Sequence, residues 1–316
     1  MRIVRKDGKP MTKKLNLRGI IFASLLAIVM VIAGIGFGHF GVDRTYATDN
    51  AVTVTFQAEG LDNGSNYFIV KPMSVTVEPG YAATVDSNWT NDSNVVSSTQ
   101  VSALDVLAAV HTAMYGSSFT SNPTNYISGS NSYITGMFGQ TNTSCNSSGI
   151  MFGVNDTQPN NGILQSWTYN GVTTQGYMTY AINQSVVHNG DVVNYFFMKD
   201  SSWADYYTYF KYNGTATRAI TVQKNTNFTL NLEGYKYFEE GYMANWNKYN
   251  MSGALVYQLA NSGTYGATMD TYLKTTNSAG NCTLKFTAAG TYYVSAVAAS
   301  GSTPIIPPYI KIVVTE

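Results

Sequence analysis

The residues that carry most enzyme chemistry are scarce in this sequence and poorly spaced for it. After the first 47 residues the chain has two histidines, His111 and His188, and two cysteines, Cys145 and Cys282. No set of His, Cys and carboxylate residues has metal-ligand spacing, and Cys145 lies in a polar loop without a positive neighbour that would favour a thiolate. The sequence also lacks a Gly-x-Ser-x-Gly elbow and a phosphate-binding glycine-rich loop. We therefore predict no catalytic residue, no metal and no cofactor.

Aromatic side chains offer a different kind of chemistry, which is surface recognition. Trp203, Tyr206 and Tyr207 stand together, and Trp246 and Tyr249 belong to a second cluster. Tyr and Trp bind sugar faces and protein partners through an apolar ring with a polar tip. Aromatics at period two also serve simple sheet packing. The recognition reading predicts a groove between two domains that these five residues line.

The two cysteines have two open interpretations. In an exported protein Cys145 and Cys282 could form a disulfide. They are equally well suited to remain buried thiols, because the sequence does not show whether they meet in space.

The segment over residues 86–94 is dense in side-chain oxygens. Calcium prefers such ligands, but the spacing matches no EF-hand loop. Asx-rich loops usually hydrogen-bond their own backbone, so we expect turns here and no bound ion.

The first 47 residues predict export. Basic residues precede an apolar run over residues 19–40, and the small-residue pattern of residues 45–47 follows. This order is typical of a secretory signal. The run is also long enough to span a bilayer, which takes about 20 residues, so an uncleaved N-terminal anchor is the alternative. In both cases the rest of the chain is expected to be secreted or at the cell surface, with membrane contact only through this segment.

Charge excludes one class of partner. Eight of the 18 Lys and Arg residues and two of the 18 Asp and Glu residues precede Thr48. The remainder has 10 basic and 16 acidic residues, so its net charge is −6. A nucleic-acid partner is not expected, because no basic patch remains to bind phosphates.

Turn and strand patterns predict a mostly β protein, since Tyr and Thr favour pleated strands. Strands are predicted over residues 52–56, 74–77, 192–198, 206–212 and 219–223. Asn-Gly pairs are typical of tight hairpin turns and occur at Asn63-Gly64, Asn161-Gly162, Asn170-Gly171, Asn189-Gly190 and Asn213-Gly214. The last of these pairs marks either a hairpin or a domain junction.

One segment has the chemistry of a helix. Ser102 and Asp105 have the spacing of a capping box, apolar residues recur at helical spacing up to Met114, and Gly116 is placed to end the helix. A single amphipathic helix must cover a sheet, so we predict an N-terminal α+β domain over residues 48–213. His111 is expected to be a structural imidazole on this helix, and His188 is expected to face solvent.

The chain after residue 218 predicts a second, all-β domain. Short strand candidates lie at residues 228–232, 254–259, 282–286, 291–297 and 309–314, separated by turn residues. This spacing is typical of an immunoglobulin-like β-sandwich, which we place at residues 218–316.

The first domain resembles a known family through the order of its motifs. A strand over residues 75–80 precedes the helix with its Leu-Asp-x-Leu core, and a strand over 149–155 and a Gly-Asp-Val strand from Gly190 follow. This order is similar to the transcobalamin-like C-terminal domain, a β-grasp-like module of exported proteins from Gram-positive bacteria. The resemblance implies a non-enzymatic binding or scaffold role. Gly149-Ile150 stands where the family often has Gly-Trp, and no helical cobalamin-carrier domain accompanies the module, so cobalamin binding is not expected.

Together these features predict an exported, non-catalytic cell-surface binding or adhesion protein that recognises a small ligand, a glycan or a protein partner. An extracellular wall-polymer hydrolase is one alternative, although no paired carboxylates stand out. A structural spacer or assembly subunit is the other.

Overall fold

The structure is a computed structural model, and it describes residues 50–62, 65–169, 172–237 and 247–316. The predicted leader over residues 1–47 lies outside the described residues. Within them the chain is mostly β, as predicted.

The first half of the chain contains the helices. They are α1 (Tyr81–Val85), α2 (Ala103–Tyr115), α3 (Ser117–Ser121) and a 3-10 helix, η1 (Pro123–Asn125). The strands of this half are β1 (Val52–Asp62), β2 (Ser65–Val77), β3 (Val101–Ser102), β4 (Ser128–Gly129), β5 (Ile134–Met137), β6 (Gln140–Thr141), β7 (Gly149–Val154), β8 (Asn160–Tyr169), β9 (Val172–Thr179), β10 (Val186–Val187) and β11 (Val192–Met198).

The second half of the chain has eleven described strands. They are β12 (Tyr206–Tyr212), β13 (Thr215–Ala216), β14 (Ala219–Gln223), β15 (Phe228–Lys236), β16 (Tyr249–Asn250), β17 (Leu255–Ser262), β18 (Gly266–Thr275), β19 (Asn281–Leu284), β20 (Gly290–Val297), β21 (Ile305–Ile306) and β22 (Ile310–Thr315). All five strands predicted after residue 218 are confirmed. The sequence analysis missed β18, because most of its side chains are exposed and its apolar pattern is weak.

A nine-stranded sheet runs through both halves of the chain. Its order is β14-β22-β20-β17-β18-β2-β1-β11-β7, and the β1–β11 and β14–β22 pairs are parallel. The two halves of this sheet meet where Ala267 of β18 pairs with Phe68 of β2. A second sheet has the order β13-β12-β15-β16, with β19 beside β15 and β21 beside β12.

Each half of the chain also has its own apolar core. The first contains Phe56, Leu107 and Tyr195, so α2 covers one face of β1 and β11. The second core lies among the strands after residue 206 and contains Leu232, Val256 and Ile312. Burying a side chain of this size contributes roughly 1.5–3 kcal/mol.

The predicted helix and its capping box are confirmed. The Asp105 backbone N–H donates to Ser102 Oγ at 3.1 Å, and the Ser102 N–H donates to Asp105 Oδ2 at 2.9 Å. Gly116, with a φ of 56°, ends the helix. The structure adds the short helices α1 and α3, which the sequence analysis did not predict.

The prediction of a structural imidazole is also confirmed. His111 is completely buried, its Nδ1 lies 2.8 Å from the Leu107 carbonyl oxygen, and its Nε2 accepts from the Phe138 N–H at 2.9 Å. Burial lowers the pKa of His111 to about 3, so the ring is neutral. His188 has a side chain that is 76% exposed, as expected.

Three Asn-Gly pairs occupy hairpins, as predicted. Strands β1 and β2 pair on either side of Asn63-Gly64, and β8 and β9 on either side of Asn170-Gly171, although these two turns lie outside the described residues. Asn213-Gly214 joins β12 to β13 with positive φ at both residues. Strand β14 then leaves for the other sheet.

The other two Asn-Gly pairs do not form hairpins, although Asn189-Gly190 does form a turn that precedes β11, as predicted. Asn161-Gly162 lies inside β8, where a shift of register absorbs it. Asn189-Gly190 makes no hairpin, because β11 pairs with β1 and β7. Its polar groups bind β1 instead: Asn189 Oδ1 accepts from the Thr53 N–H, and the Gly190 N–H donates to the Thr53 carbonyl oxygen.

The oxygen-rich segment forms local turns, as expected. Asp86 Oδ1 accepts from the Asn88 N–H, and Asp92 Oδ1 accepts from the Asn94 N–H. Among the described residues no group of three or more His, Cys, Asp and Glu side chains is arranged to hold a metal ion. No helix in this part of the chain has the length and apolarity needed to cross a membrane.

The buried carboxylate of Asp105 holds α1 and α2 together. It accepts hydrogen bonds from the Ala82 N–H, the Ser102 N–H and the Asn91 side chain, at 2.8–2.9 Å.

We expect Asp105→Ala to lower the free energy of unfolding by about 3 kcal/mol, because buried donors lose a charged acceptor. Chemical denaturation measures this change. The matched control is Asp270→Ala, at an exposed position of β18, whose free energy of unfolding should differ from that of the unchanged protein by less than about 0.5 kcal/mol. Equal effects of the two changes would contradict this role.

Candidate functional site

The four described residues of the predicted aromatic groove fall into two pairs, and Trp203 packs against the buried cluster that contains Tyr207. Tyr206 and Tyr249 meet edge to face, with ring centroids 5.3 Å apart. Trp203 lies over Gly149, where it leaves no room for a Cβ atom. Trp246 lies outside the described residues.

Tyr207 is buried and forms part of the contact between the two halves of the chain. Its ring and those of Tyr235 and Tyr237 pack with Phe196 and Met198 of β11. Tyr207 therefore offers no exposed platform, contrary to the groove that the sequence predicted. Its hydroxyl group nevertheless reaches the wall of a polar cavity.

This cavity, which we call the Arg218 cavity, has a volume of about 360 Å³. Ligand sites in proteins have volumes of roughly 300–1,000 Å³. Residues from both sides of the predicted domain boundary line it: Gln57, Asp156, Asn194, Tyr207, Thr208, Tyr209, Phe210, Ala216, Thr217, Arg218, Pro307, Pro308 and Tyr309.

The polar floor of the cavity comes from β1 and β11, two neighbouring parallel strands near the β7 edge of the nine-stranded sheet. Gln57 of β1 pairs in register with Asn194 of β11, and Glu59 follows two residues after Gln57 on the same face. Phe56 and Tyr195 project to the opposite face, toward α2. The polar face passes from exposed at Thr53 to buried at Gln57 and Glu59, because strands of the second half cover it.

Two residues outside these strands supply opposite charges. Asp156 follows β7 in a turn where it has a φ of 62°, and the Tyr235 hydroxyl donates to its carbonyl oxygen at 2.8 Å. Arg218 lies between β13 and β14, where the chain passes from one sheet to the other. The two side chains form an ion pair, and each is 28% exposed.

Hydrogen bonds join the polar side chains into one network. Gln57 Nε2 donates to Glu59 Oε1 at 2.9 Å, and Arg218 lies 3.4 Å from Gln57 Oε1. The Tyr207 hydroxyl donates to Asp156 Oδ1 at 2.7 Å and lies 3.4 Å from Asn194 Nδ2.

Two oxygens in this network have no hydrogen-bond partner in the described structure. They are Oε2 of Glu59 and Oδ1 of Asn194. Both residues are 2% exposed. Burial raises the pKa of Glu59 to about 8, although Gln57, Arg218 and Asn194 act to lower it. Burial therefore favours the protonated acid, whose hydroxyl group is a hydrogen-bond donor.

The cavity has the features of a binding site more than those of a reaction centre. It combines tyrosine and proline walls with amide, guanidinium and carboxylate groups, which can orient a polar ligand. Its carboxylates are engaged: Asp156 contacts Arg218 and Tyr207, and Glu59 lies behind Gln57. Sequence reasoning missed Gln57 and Asn194, because a polar strand face normally indicates solvent. It missed Asp156 and Arg218, because no local pattern shows that two residues so far apart in the sequence form an ion pair.

The cysteines belong to different cores. Cys145 lies in the first apolar core and Cys282 in the second, and within the described residues no disulfide joins them. Cys145 Sγ lies 3.3 Å from Gln140 Oε1. Burial raises the pKa of the Cys282 thiol to about 11. Of the two open interpretations, the structure has the buried thiols.

Two comparisons with known proteins found no match. No protein-family model matches the chain, and no curated protein matches it significantly. The resemblance to the transcobalamin-like C-terminal domain therefore stays a prediction from the residues that carry it.

The raised pKa of Glu59 predicts how stability depends on pH. The folded protein holds a proton that the unfolded chain releases above its ordinary pKa of 4.5, so stability is greatest below that pH. Between pH 5 and 8 we expect the stability of the protein to fall relative to that of Glu59→Gln, by roughly 1.4 kcal/mol per pH unit. Urea unfolding of both proteins at several pH values measures this difference.

Glu233→Gln is the matched control for this experiment. Burial raises the pKa of Glu233, but hydrogen bonds from Tyr209 and Lys211 outweigh burial and lower it. Its carboxyl group therefore titrates below pH 4.5, and the stability difference from the unchanged protein should stay constant between pH 5 and 8. A constant difference for Glu59→Gln as well would show that Glu59 is ionised in the folded protein.

Proposed function

We propose that this chain is an exported, non-catalytic binding protein whose Arg218 cavity holds a small, uncharged ligand rich in hydroxyl groups, such as one sugar unit of a glycan. The observation that carries the proposal is Oδ1 of Asn194. It is a buried acceptor without a partner, on the wall of a cavity of ligand size. A ligand hydroxyl group would satisfy it.

The charges of the cavity support an uncharged ligand. Arg218 and Asp156 neutralise each other in an ion pair, and burial of Glu59 favours its neutral form. An anionic ligand would have to displace Asp156 from Arg218, and a cationic ligand would have to displace Arg218 from Asp156. Both displacements leave a partly buried charge without its partner, which is unfavourable.

The walls of the cavity support a sugar-like ligand in particular. Tyr209, Tyr309 and the Pro307-Pro308 pair provide apolar surfaces, while Gln57, Asn194 and Arg218 provide planar polar groups. Apolar C–H faces and ring hydroxyls of a sugar match these two kinds of surface.

A wall-polymer hydrolase is the weaker candidate. Glycan hydrolysis needs two carboxyl groups on either side of the scissile bond, about 5–9.5 Å apart. Here Glu59 is almost completely buried and Asp156 is held by Arg218 and Tyr207. A spacer without a ligand is also disfavoured, because it would leave the buried acceptor beside the cavity without a hydrogen bond, which is unfavourable.

The finer fold assignments belong to the same proposal. We place a β-grasp-like domain at residues 48–213, supported by α2 packed across β1 and β11, and an immunoglobulin-like sandwich at residues 218–316, supported by the core between β15 and the β17, β20 and β22 strands. Export rests on the charge and hydropathy of the first 47 residues.

Asn194→Leu tests the binding site. We expect this change to weaken the binding of a ligand found in a glycan array screen at least tenfold, about 1.4 kcal/mol, while thermal stability stays equal or rises because an unpaired buried oxygen is removed. Isothermal titration and thermal unfolding measure the two effects. Unchanged affinity in a folded variant would place the ligand elsewhere.

Trp203→Ala and Trp246→Ala are run beside it as a test of the aromatic groove predicted from the sequence. Because Trp203 is not among the residues that line the Arg218 cavity, we expect its loss to leave binding unchanged. A greater loss of affinity for the two tryptophan variants than for Asn194→Leu would favour the groove over the cavity.

A further inference from the structure

A second cavity lies beside β7, at the edge of the nine-stranded sheet. Its volume is about 290 Å³. The lining is mainly apolar and aromatic, and includes Ile134, Ile150, Phe152 and Ile182. Tyr133, which is 45% exposed, also lines the cavity.

Gln158 gives this apolar cavity a polar point. Its side chain is 93% buried, since 7% of the residue is exposed, and its Oε1 has no hydrogen-bond partner in the described structure. A buried acceptor of this kind is unfavourable unless a ligand or an ordered water satisfies it.

Three other polar side chains of the lining are already engaged. The Tyr195 hydroxyl donates to the Ala103 carbonyl oxygen at 3.0 Å, and the Tyr237 hydroxyl donates to the Phe152 carbonyl oxygen. Gln184 donates to Asp92 and accepts from the Ala181 N–H. An ordered water needs two to four polar partners, and these three side chains are less available to bind a water at Gln158.

Aromatic rings shape the remaining wall. Phe152 and Tyr195 stack with centroids 5.5 Å apart and planes 24° apart, and Tyr180 and Tyr237 also line the cavity. No Lys, Arg, Asp, Glu or His is among the described lining residues, so the cavity offers a charged ligand no counter-ion.

We propose that this second cavity binds a small, uncharged aromatic molecule that donates one hydrogen bond to Oε1 of Gln158. Indole and phenol type rings have this chemistry: a flat apolar body and one N–H or O–H donor. The site is independent of the Arg218 cavity, because none of its lining residues is shared with it.

Indole and 1-methylindole form a matched pair of probes, since methylation removes the N–H donor and leaves the ring. We expect isothermal titration of the full chain to show indole binding at least tenfold tighter than 1-methylindole. Gln158→Met keeps the length of the side chain and removes the amide oxygen. In this variant we expect the preference for indole to fall to about onefold, while 1-methylindole binds as well as before or better.

Gln223→Met, on exposed β14, is the control variant and should keep the preference of the unchanged protein. Retained binding of 1-methylindole shows that Gln158→Met is folded, so loss of the preference reports on the hydrogen bond. Equal affinity of the unchanged protein for the two probes, absence of binding of both, or an intact preference in Gln158→Met would each overturn the proposal. None of these results bears on glycan binding in the Arg218 cavity.

Discussion

The structure depends on covering a polar strand face. Gln57 and Asn194 lie side by side on β1 and β11, with Glu59 beyond them, and strands of the second half bury all three. Buried amides need hydrogen-bond partners, and buried acids need partners or must be protonated. Arg218, Asp156 and Tyr207 provide some of these partners, and protonation of Glu59 removes the need for a counter-ion. The tyrosine cluster around Phe196 adds buried apolar surface to the contact between the two halves of the chain.

The incomplete pairing in this network is what makes the Arg218 cavity a candidate binding site. A fully satisfied network would add rigidity and leave nothing for a ligand to bind. The same logic applies at Gln158, where an apolar surrounding isolates one acceptor. The two cavities thus differ in chemistry but share a principle: each places an unsatisfied amide oxygen next to empty volume.

Local patterns predicted the local structure well. Ser102, Asp105 and Gly116 identified α2 within a residue or two, since capping depends on neighbours in the sequence. The strand over 192–198 was predicted with the bounds that β11 has. The same kind of reasoning was wrong about a hairpin at Asn189-Gly190, because the partner of β11 is β1, far earlier in the chain. It also missed the Arg218 cavity, whose lining comes from six separate stretches that no local pattern connects. Tyr207 was selected for its ring, whereas the structure uses its hydroxyl group in the cavity.

The two parallel pairs have a consequence for how the chain acquires this shape. The parallel partner of β1 is β11, about 140 residues later in the chain, and the parallel partner of β14 is β22, about 90 residues later. Loops of this length must close before these strands gain their parallel partners, so assembly is slow and dominated by distant contacts. A nascent chain therefore presents β1 with one open edge until β11 has been synthesised. Protection of that edge during synthesis is a demand set by the topology alone.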